Sequence, residues 1–575
     1  MSRGAETRKD SLRRFANRSV VVLVFFALAA TSLLARAVHL QILNKDFLND
    51  QADSRHLRTE TITAHRGTIT DRNGEPLAIS TPVDSIWANP KELAGAVDRL
   101  PRLAQELGVE SQMLMNRVTR EMNKEFVYLK RHLTPDQARR VLALDLPGVN
   151  VQREYRRYYP AGEVTGHLVG FTNIDDKGLE GLELAFNHWL SGEAGKKRVL
   201  KDRLGRSIED VESIRPPKPG KSLRTSIDLR LQYVAYRALK AAVQRFSADS
   251  GSIVILDVQS GEVLAIANQP TYNPNDRLQF VPDRYRNRAI TDIFEPGSSI
   301  KPLVVAAALE SGHYQPNSIV DTSPGYFSVG AKTIEDTRNL GRVSLATILS
   351  RSSNVGMSMV AMELEPDQLW STMTRFGLGA LTSSGFPGES AGLLTHFNNW
   401  QEISQATLAY GYGVSVTPLQ LAQAYSALGN NGLVQPVSLV ALDDVAPGTR
   451  VLEPDTATAV RRMLEEVVRP GGTGSKAKVT GYRVAGKTGT AWKFAAGGYS
   501  KDKYLSVFAG LAPASSPRLA TVVVIDEPKG ELYYGSDVAA PVFADVMTES
   551  LRLMAVPPDA LPARDAGSIM QAMSQ

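Results

Sequence analysis

Residues 295–302 read Glu295-Pro296-Gly297-Ser298-Ser299-Ile300-Lys301-Pro302, and Pro302 decides how they fold. Proline is tolerated only in the first turn of a helix, where backbone N–H groups lack an intrahelical partner. The helix therefore starts near Ser298, and Lys301–Glu310 continues it as an apolar helix. The i, i+3 spacing places Ser298 and Lys301 on one face, about 5–6 Å apart at Cβ. A serine at the positive end of a helix, beside a lysine that is neutral, is an activated nucleophile. The neighbours Val304–Leu309 are apolar, and burial depresses a lysine pKa. Alone, S-x-x-K is a weak pattern that recurs by chance in most long chains.

Two companions strengthen it. Ser352-Ser353-Asn354 gives S-x-N and Lys487-Thr488-Gly489-Thr490 gives K-T-G-T, in that chain order. Acyl transfer needs a nucleophile, a base, a proton relay to the leaving amine and donors for a carboxylate. Ser298, Lys301, Ser352 and the Lys487/Thr488/Thr490 group can supply them in that order. Gly489 carries no side chain, which lets a substrate lie along a strand edge.

Around this trio the pattern is α+β. Leu231–Val243 has helical apolar spacing, and Ser252–Val258 and Glu262–Asn268 read as strands about a Ser260-Gly261 turn. Late strands are expected at Leu505–Leu511 and Leu519–Ile525. Strands, then many helices, then strands argue for helices packed on a mainly antiparallel sheet. Upstream, the alternation in residues 66–77 and its Asn73-Gly74 pair predict a hairpin. Helical patterns follow near 91–107 and 134–143. Residues 195–206 are basic and read as a solvated face, and the Pro/Lys-rich stretch 213–221 reads as a linker.

Three other patterns compete and fail on context. Gly481–Thr488 satisfies G-x4-G-K-[ST], with a magnesium-type strand end at Val522–Glu527. A phosphate loop needs a strand before it and a helix after it; here Gly-rich stretches lie on both sides. Gly388-Glu389-Ser390-Ala391-Gly392 matches a hydrolase G-x-S-x-G turn, but Thr382–Pro387 is loop material, not a strand. The eight histidines show no metal-ligand spacing, so no metal and no cofactor is expected.

The chain has 575 residues, 43% hydrophobic and 22% charged, which excludes a mostly disordered or polytopic membrane protein. Lys+Arg is 65 against Asp+Glu 60, a net of +5, too weak to argue for nucleic acid. There are 0 cysteines, so there is no disulfide framework and no thiolate site. Topology sets the compartment. A basic tail, 1–18, precedes the uncharged run Ser19–Ala35, and apolar residues resume after Arg36 to Leu43. The run is short for a span, but Arg36 can snorkel. Ala35-Arg36-Ala37 weakly resembles a signal-peptide cleavage site, and an uncleaved anchor fits the length better. Either reading places everything after about residue 41 outside the cytoplasm.

With these residues in hand, the sequence resembles the class B penicillin-binding proteins over nearly its whole length, most of all the division-specific septal transpeptidases (the FtsI type). The matching segments are Arg66–Ala78, Tyr159–Gly170 and Gly178–Glu183, then Glu295–Pro302, Arg351–Gly356, Gly385–Leu394, Gly411–Gln420, Gly486–Thr490 and Tyr533–Phe543. The resemblance implies a cytoplasmic tail (1–18), a transmembrane anchor (19–43) and an elongated pedestal (44–222). A transpeptidase domain (223–555), with helices around a five-stranded antiparallel sheet, and a flexible tail (556–575) would follow. It implies a single-pass inner-membrane protein, periplasmic at the division site. Ser298 would attack the penultimate D-Ala carbonyl of a D-Ala-D-Ala stem peptide. Lys301 would act as base, Ser352 as relay, Asn354 as the holder of Lys301 and a substrate amide, and Lys487 as the group orienting Ser352. Thr488 and Thr490 would receive the terminal carboxylate, and the N–H groups of Ser298 and Thr490 would form the oxyanion hole. A neighbouring stem-peptide amine would resolve the acyl-enzyme, and β-lactams would trap the same serine. Implied partners are an FtsW-type glycan polymerase and other division proteins. An elongation-type or paralogous transpeptidase, a β-lactamase, and a division scaffold with secondary catalysis are the alternatives.

Overall fold

The structure, a computed structural model, describes residues 3–43, 45, 57–201, 207–276, 281–495 and 498–560. The chain divides into two compact units. Part of the basic stretch 195–206, and residues 561–575 of the tail, lie outside the described residues.

The smaller unit takes in Met1–Ala64, Pro82–Glu154 and Glu193–Lys218. Its N-terminal helix, Arg3–Val38, continues into a π-helical turn, His39–Leu43, and the two carry the apolar span Asn17–Ile42, with mean hydropathy 2.3 and its apolar stretch unburied. Val21, Leu23, Phe25 and Leu33 are each about two-thirds exposed or more. Apolar surface of that extent, on a helix of that length, fits a single-pass membrane anchor. After it, Leu57–Ile62, Gly195–Lys201 and Ser207–Arg215 form an antiparallel sheet. The helical pattern at 91–107 is broken into Pro90–Leu93, a 3-10 stretch Ala94–Arg99, and Leu100–Leu107. Ala96 leaves helical geometry there, between Gly95 and Pro101. The helix near 134–143 is Pro135–Leu142, capped reciprocally by Thr134 and Gln137.

The larger unit takes in His65–Thr81, Tyr155–Gly192 and Pro219–Gln575, so the 44–222 segment contributes to both units. Its sheet has five antiparallel strands in the order Val263–Gln269, Ser250–Asp257, Leu519–Asp526, Gly498–Ala512, Ala485–Ala495. Alternation feeds two cores. Ile253, Ile255, Val523 and Ile525 meet helices Leu229–Arg245 and Ala539–Leu553 on one face. Val254, Leu256, Val522 and Val524 meet helices Lys301–Glu310 and Pro418–Gly429 on the other. Every residue of Pro418–Gly429 is buried. A helix buried all round needs its few polar groups satisfied: Gln420 Nε2 donates to Ala380 O and Ala391 O, each at 2.7 Å. Those bonds pin the Gly388–Gly392 segment as a loop, without the strand and helix that a hydrolase turn requires.

Two upstream segments of the larger unit meet at one carboxylate. Glu183, wholly buried, accepts from Arg66 Nε at 2.7 Å and from Arg157 Nε at 2.6 Å. The hairpin predicted at 66–77 forms between Ile69–Thr70 and the start of Pro76–Ala88. Its turn residue Asp71 accepts from Leu229 N at 3.1 Å, at the start of helix Leu229–Arg245.

Candidate active site

The segment 297–310 is one continuous helical run of two kinds. Gly297–Ile300 is a 3-10 turn and Lys301–Glu310 an α-helix, with Pro302 in its first turn. The tighter turn makes residues i and i+3 eclipse, which stacks Ser298 over Lys301. The turn is held from behind: Tyr425 OH donates to Ser299 O at 2.8 Å, and Ser299 Oγ donates to Pro296 O at 2.7 Å. Gly411 belongs to the same support, because a Cβ there would sit 2.1 Å from Gly297 O.

Lys301 is fully buried. Its Nζ donates to Ser352 O and Asn354 Oδ1, each at 2.7 Å, and lies 3.3 Å from Ser352 Oγ. Lys487, also fully buried, approaches the same hydroxyl from the sheet edge, with Nζ 2.9 Å from Ser352 Oγ. Burial pushes the Lys301 ammonium well below the usual lysine range, the Lys487 charge pushes it further, and Asp336 partly opposes both. Burial alone takes Lys487 down to about 7. Both lysines are therefore able to be neutral amines in the physiological range.

Ser352 is itself constrained. It closes helix Leu345–Arg351 in the left-handed region, with φ +61°, which is uncommon for a serine. Asp336 holds the next residues: its Oδ1 accepts from Asn354 N at 2.6 Å and Val355 N at 3.1 Å, and its Oδ2 accepts from Ser353 Oγ. Motif reading missed Asp336, which lies outside all three motifs. Its one signal is position, since it follows the hairpin Tyr326–Val329/Lys332–Glu335 that delivers it to the S-x-N turn.

Lys487, Thr488, Gly489 and Thr490 lie on Ala485–Ala495, the edge strand of the sheet. A strand running through Lys487 and Thr488 leaves no loop-to-helix junction for a phosphate. Thr488 Oγ1 bonds Thr473 Oγ1 at 3.1 Å, and Thr490 Oγ1 accepts from Gly535 N at 2.9 Å, leaving its own hydrogen to donate. Gly489 has a different physical reason from the one its position on a strand edge indicates. A Cβ there would meet Pro296 O at 2.7 Å and Ser299 Cβ at 3.4 Å, so the glycine lets the Ser298 turn approach the strand.

The structure thus brings Lys301, Ser352, Asn354 and Lys487 into one hydrogen-bonded group, with Ser298 one 3-10 turn away and Thr488, Gly489 and Thr490 alongside. Among the described residues no carboxylate is hydrogen-bonded to the side chain of Ser298, Lys301, Ser352 or Lys487. No group of three His, Asp or Glu side chains able to hold a metal occurs among the described residues.

Comparison with known proteins bears on the whole chain. Residues 251–548 match the penicillin binding protein transpeptidase domain, and residues 61–225 the penicillin-binding protein dimerisation domain. The chain is 45% identical to the peptidoglycan D,D-transpeptidase FtsI of Escherichia coli K12, across 94% of this chain and 92% of that one. It is 44% identical to the "Probable peptidoglycan D,D-transpeptidase PbpC" of Pseudomonas aeruginosa, across 95% and 96%. A crystal structure of a peptidoglycan synthetase from Bifidobacterium adolescentis superposes with a TM-score of 0.70, at 26% identity, covering 88% of this chain and 98% of that one. The two buried lysines sharing a serine hydroxyl therefore sit in a chain related to these enzymes from end to end, and that chain belongs to the class B penicillin-binding proteins, among the D,D-transpeptidases of the FtsI type.

Proposed function

We propose that Ser298 is the residue through which this peptidoglycan D,D-transpeptidase cross-links stem peptides, and that β-lactams acylate it. The convergence of Lys301 and Lys487 on Ser352, one turn from Ser298, carries the reading. Lys301, as a neutral amine, takes the proton of Ser298 Oγ while that oxygen bonds to the penultimate D-Ala carbonyl. Its two donor contacts to Ser352 O and Asn354 Oδ1 orient the nitrogen. The oxyanion is received by the N–H groups of Ser298 and Thr490, a kind of contact worth about 3–4 kcal/mol per donor. The peptide C–N bond then breaks. The proton returns through Ser352 Oγ, which Lys487 orients, to the departing D-Ala amine. Thr488 and Thr490 hold the carboxylate of that D-Ala. The ester formed on Ser298 is attacked by the amine of a neighbouring stem peptide, giving the new amide and restoring the serine. The lack of a carboxylate bonded to these groups, among the described residues, favours transfer to an amine over the rapid deacylation of a β-lactamase.

In the cell, the same reading places the enzyme in the inner membrane at the division septum, the catalytic unit periplasmic, beside an FtsW-type glycan polymerase. A second reading has its own observation: identity to PbpC, 44%, equals that to FtsI, 45%, within a percentage point. A secondary paralogue of the division enzyme fits the same geometry. Depletion separates them, since loss of the main division enzyme gives filaments and loss of a paralogue does not. The chemistry is tested by labelling with a fluorescent penicillin and mapping the adduct by mass spectrometry. Label on Ser298, absent in Ser298→Ala, is the expected result; label on Ser352 or Ser390, or persisting in Ser298→Ala, overturns the assignment.

A further inference from the structure

Beyond helix Ala539–Leu553, residues 556–560 run along the three residues, 481–483, that lead into the strand Ala485–Ala495. Tyr482 OH donates to Val556 O at 2.6 Å, and Ala560 N donates to Gly481 O at 3.0 Å. Between these two bonds stands Asp559, whose carboxylate divides its oxygens. Oδ1 accepts from Arg483 N at 2.7 Å. Oδ2 accepts from Ser515 N at 3.1 Å and from Ser515 Oγ at 2.7 Å. Ser515 lies in the turn between the strands Gly498–Ala512 and Leu519–Asp526. One carboxylate thus ties the entry of the K-T-G-T strand to the turn that joins the next two strands.

The entry is held on its other sides as well. Arg483 O accepts from Ala514 N at 2.8 Å, and the Arg483 guanidinium makes two bonds of 2.8 Å to Glu465 on helix Pro454–Val468. Asp559 supplies the partner for the remaining polar group, the Arg483 N–H. A bond from a backbone N–H to an ionised carboxylate is stronger than one to a neutral acceptor.

We infer that Asp559 is a positioning residue for acylation: it sets where the strand carrying Lys487, Thr488 and Thr490 enters the sheet, and so keeps Lys487 in reach of Ser352. This inference rests on the reading of Lys487 as the group that orients Ser352. Among the described residues, the hydrogen bonds of Asp559 go to none of the groups assigned to the chemistry, so it acts through the strand alone. The physical reason is that the strand is an edge. Among the described strands it pairs only with Gly498–Ala512. An edge strand has no second neighbour to hold it sideways. Its one partner and its ends therefore fix its place. Lys487 follows Arg483 by four residues, about 13 Å of extended chain, with no turn between to absorb a shift. At the far end Lys487 Nζ stands 2.9 Å from Ser352 Oγ. A hydrogen bond of that length tolerates only a few tenths of an ångström of displacement before it weakens.

The test uses the detergent-solubilised full chain and a fluorescent penicillin, with stopped-flow kinetics separating the acylation rate constant from the affinity of the initial complex. All rates are taken well below the lowest melting temperature in the set. Asp559→Ala should lower the acylation rate constant by about fivefold or more, the scale of one lost hydrogen bond, with the affinity unchanged. Asp559→Asn can still accept from Arg483 N but turns an N–H2 group towards the two Ser515 donors, so it should lose less. Ser515→Ala, which leaves Asp559 in place, should also lose less. The decisive readout is the same change made in Lys487→Met, with acylation followed over hours. If Asp559 acts through Lys487, Asp559→Ala costs nothing further there, whereas a general loosening of the fold costs the same factor in both backgrounds. A folded Asp559→Ala protein with a smaller loss, or an equal loss in the Lys487→Met background, overturns the inference. Should Asp559→Ala fail to fold, unaltered rates in both Asp559→Asn and Ser515→Ala overturn it. A penicillin adduct missing from Ser298 in the unaltered chain sinks the transpeptidase reading instead.

Discussion

Lys301 and Lys487 converge on one hydroxyl: their Nζ atoms lie 3.3 and 2.9 Å from Ser352 Oγ. Two ammonium ions cannot share so small a buried space cheaply, and the Lys487 charge is among the causes that depress Lys301. The site therefore favours at least one neutral amine. A base that must lose its proton cannot be replaced by a guanidinium, which keeps its charge at any accessible pH. Lys301→Arg should abolish penicillin acylation of Ser298, by at least a thousandfold in rate, while the chain stays folded. Near-normal acylation by a folded Lys301→Arg protein would show that charge, not basicity, is what matters.

The same burial has a cost in stability. Burial takes Lys487 down to about 7 in the folded chain, against the ordinary lysine value of 10.5. Between those values the unfolded state binds the extra proton, so stability falls as pH drops from about 10.5 to 7. Below 7 the penalty is fully present and no longer changes. Lys487→Met, of similar length and uncharged, should raise the melting temperature by several degrees at pH 7 and by less at pH 10, while losing turnover. Melting curves at both pH values check it; an unchanged or lower melting temperature at pH 7 counts against a desolvated Lys487.

Gly489 separates two accounts of one residue. Were it a glycine only to leave room for substrate, alanine would cost substrate affinity alone. The structure sets Pro296 O 2.7 Å from the missing Cβ, with Val507 Cβ on another side at 3.2 Å, so neither neighbour is the loose end of a side chain. Gly489→Ala should displace the Ser298 turn and slow acylation by small β-lactams, which do not reach along the strand, by about a hundredfold. A defect confined to peptide donors would return the residue to the substrate-room account.

Much of this was legible in the chain. Pro302 fixed where the helix could start, and the strands at 252–258 and 519–525 showed themselves because β-branched runs need both sheet faces covered. The pattern at 91–107 misled because its apolar spacing survives the break at Ala96, after which Pro101, which has no N–H to give, sits in the first turn of a new helix. Asp336 was invisible for another reason. A lone carboxylate in a hairpin carries no motif, and its value appears only when the fold brings it to the S-x-N turn.

Asp336 makes its own prediction. It binds the backbone N–H groups of Asn354 and Val355 and the Ser353 hydroxyl, and so fixes the residues directly after the Ser352 carbonyl that Lys301 contacts. Asn can accept with one oxygen but would turn an N–H2 group towards a donor. Asp336→Asn should lower the acylation rate constant ten- to a hundredfold with little change in the affinity of the initial penicillin complex. A change in affinity alone would place Asp336 in ligand binding rather than in positioning Ser352 and Asn354.

The anchor offers the last prediction. Thr31 Oγ1 folds back to donate to Ala27 O at 2.7 Å, which satisfies the hydroxyl within the helix and keeps that side short. Ala27, Ala30 and Ser32 are small as well, and small residues allow close helix packing in a bilayer. Against this stands the plain view that any apolar span of the length of Asn17–Ile42 tethers equally well. The chemistry of Ser298 does not depend on the choice, because every residue assigned to that chemistry lies in the larger unit. Replacing Ser19–Leu43 with an unrelated single-span anchor should therefore leave penicillin acylation intact but impair septum formation at matched expression. Normal division with the exchanged anchor would remove this helix from the proposed recognition of a membrane partner, and leave the pedestal segment, 44–222, as the place to look for it.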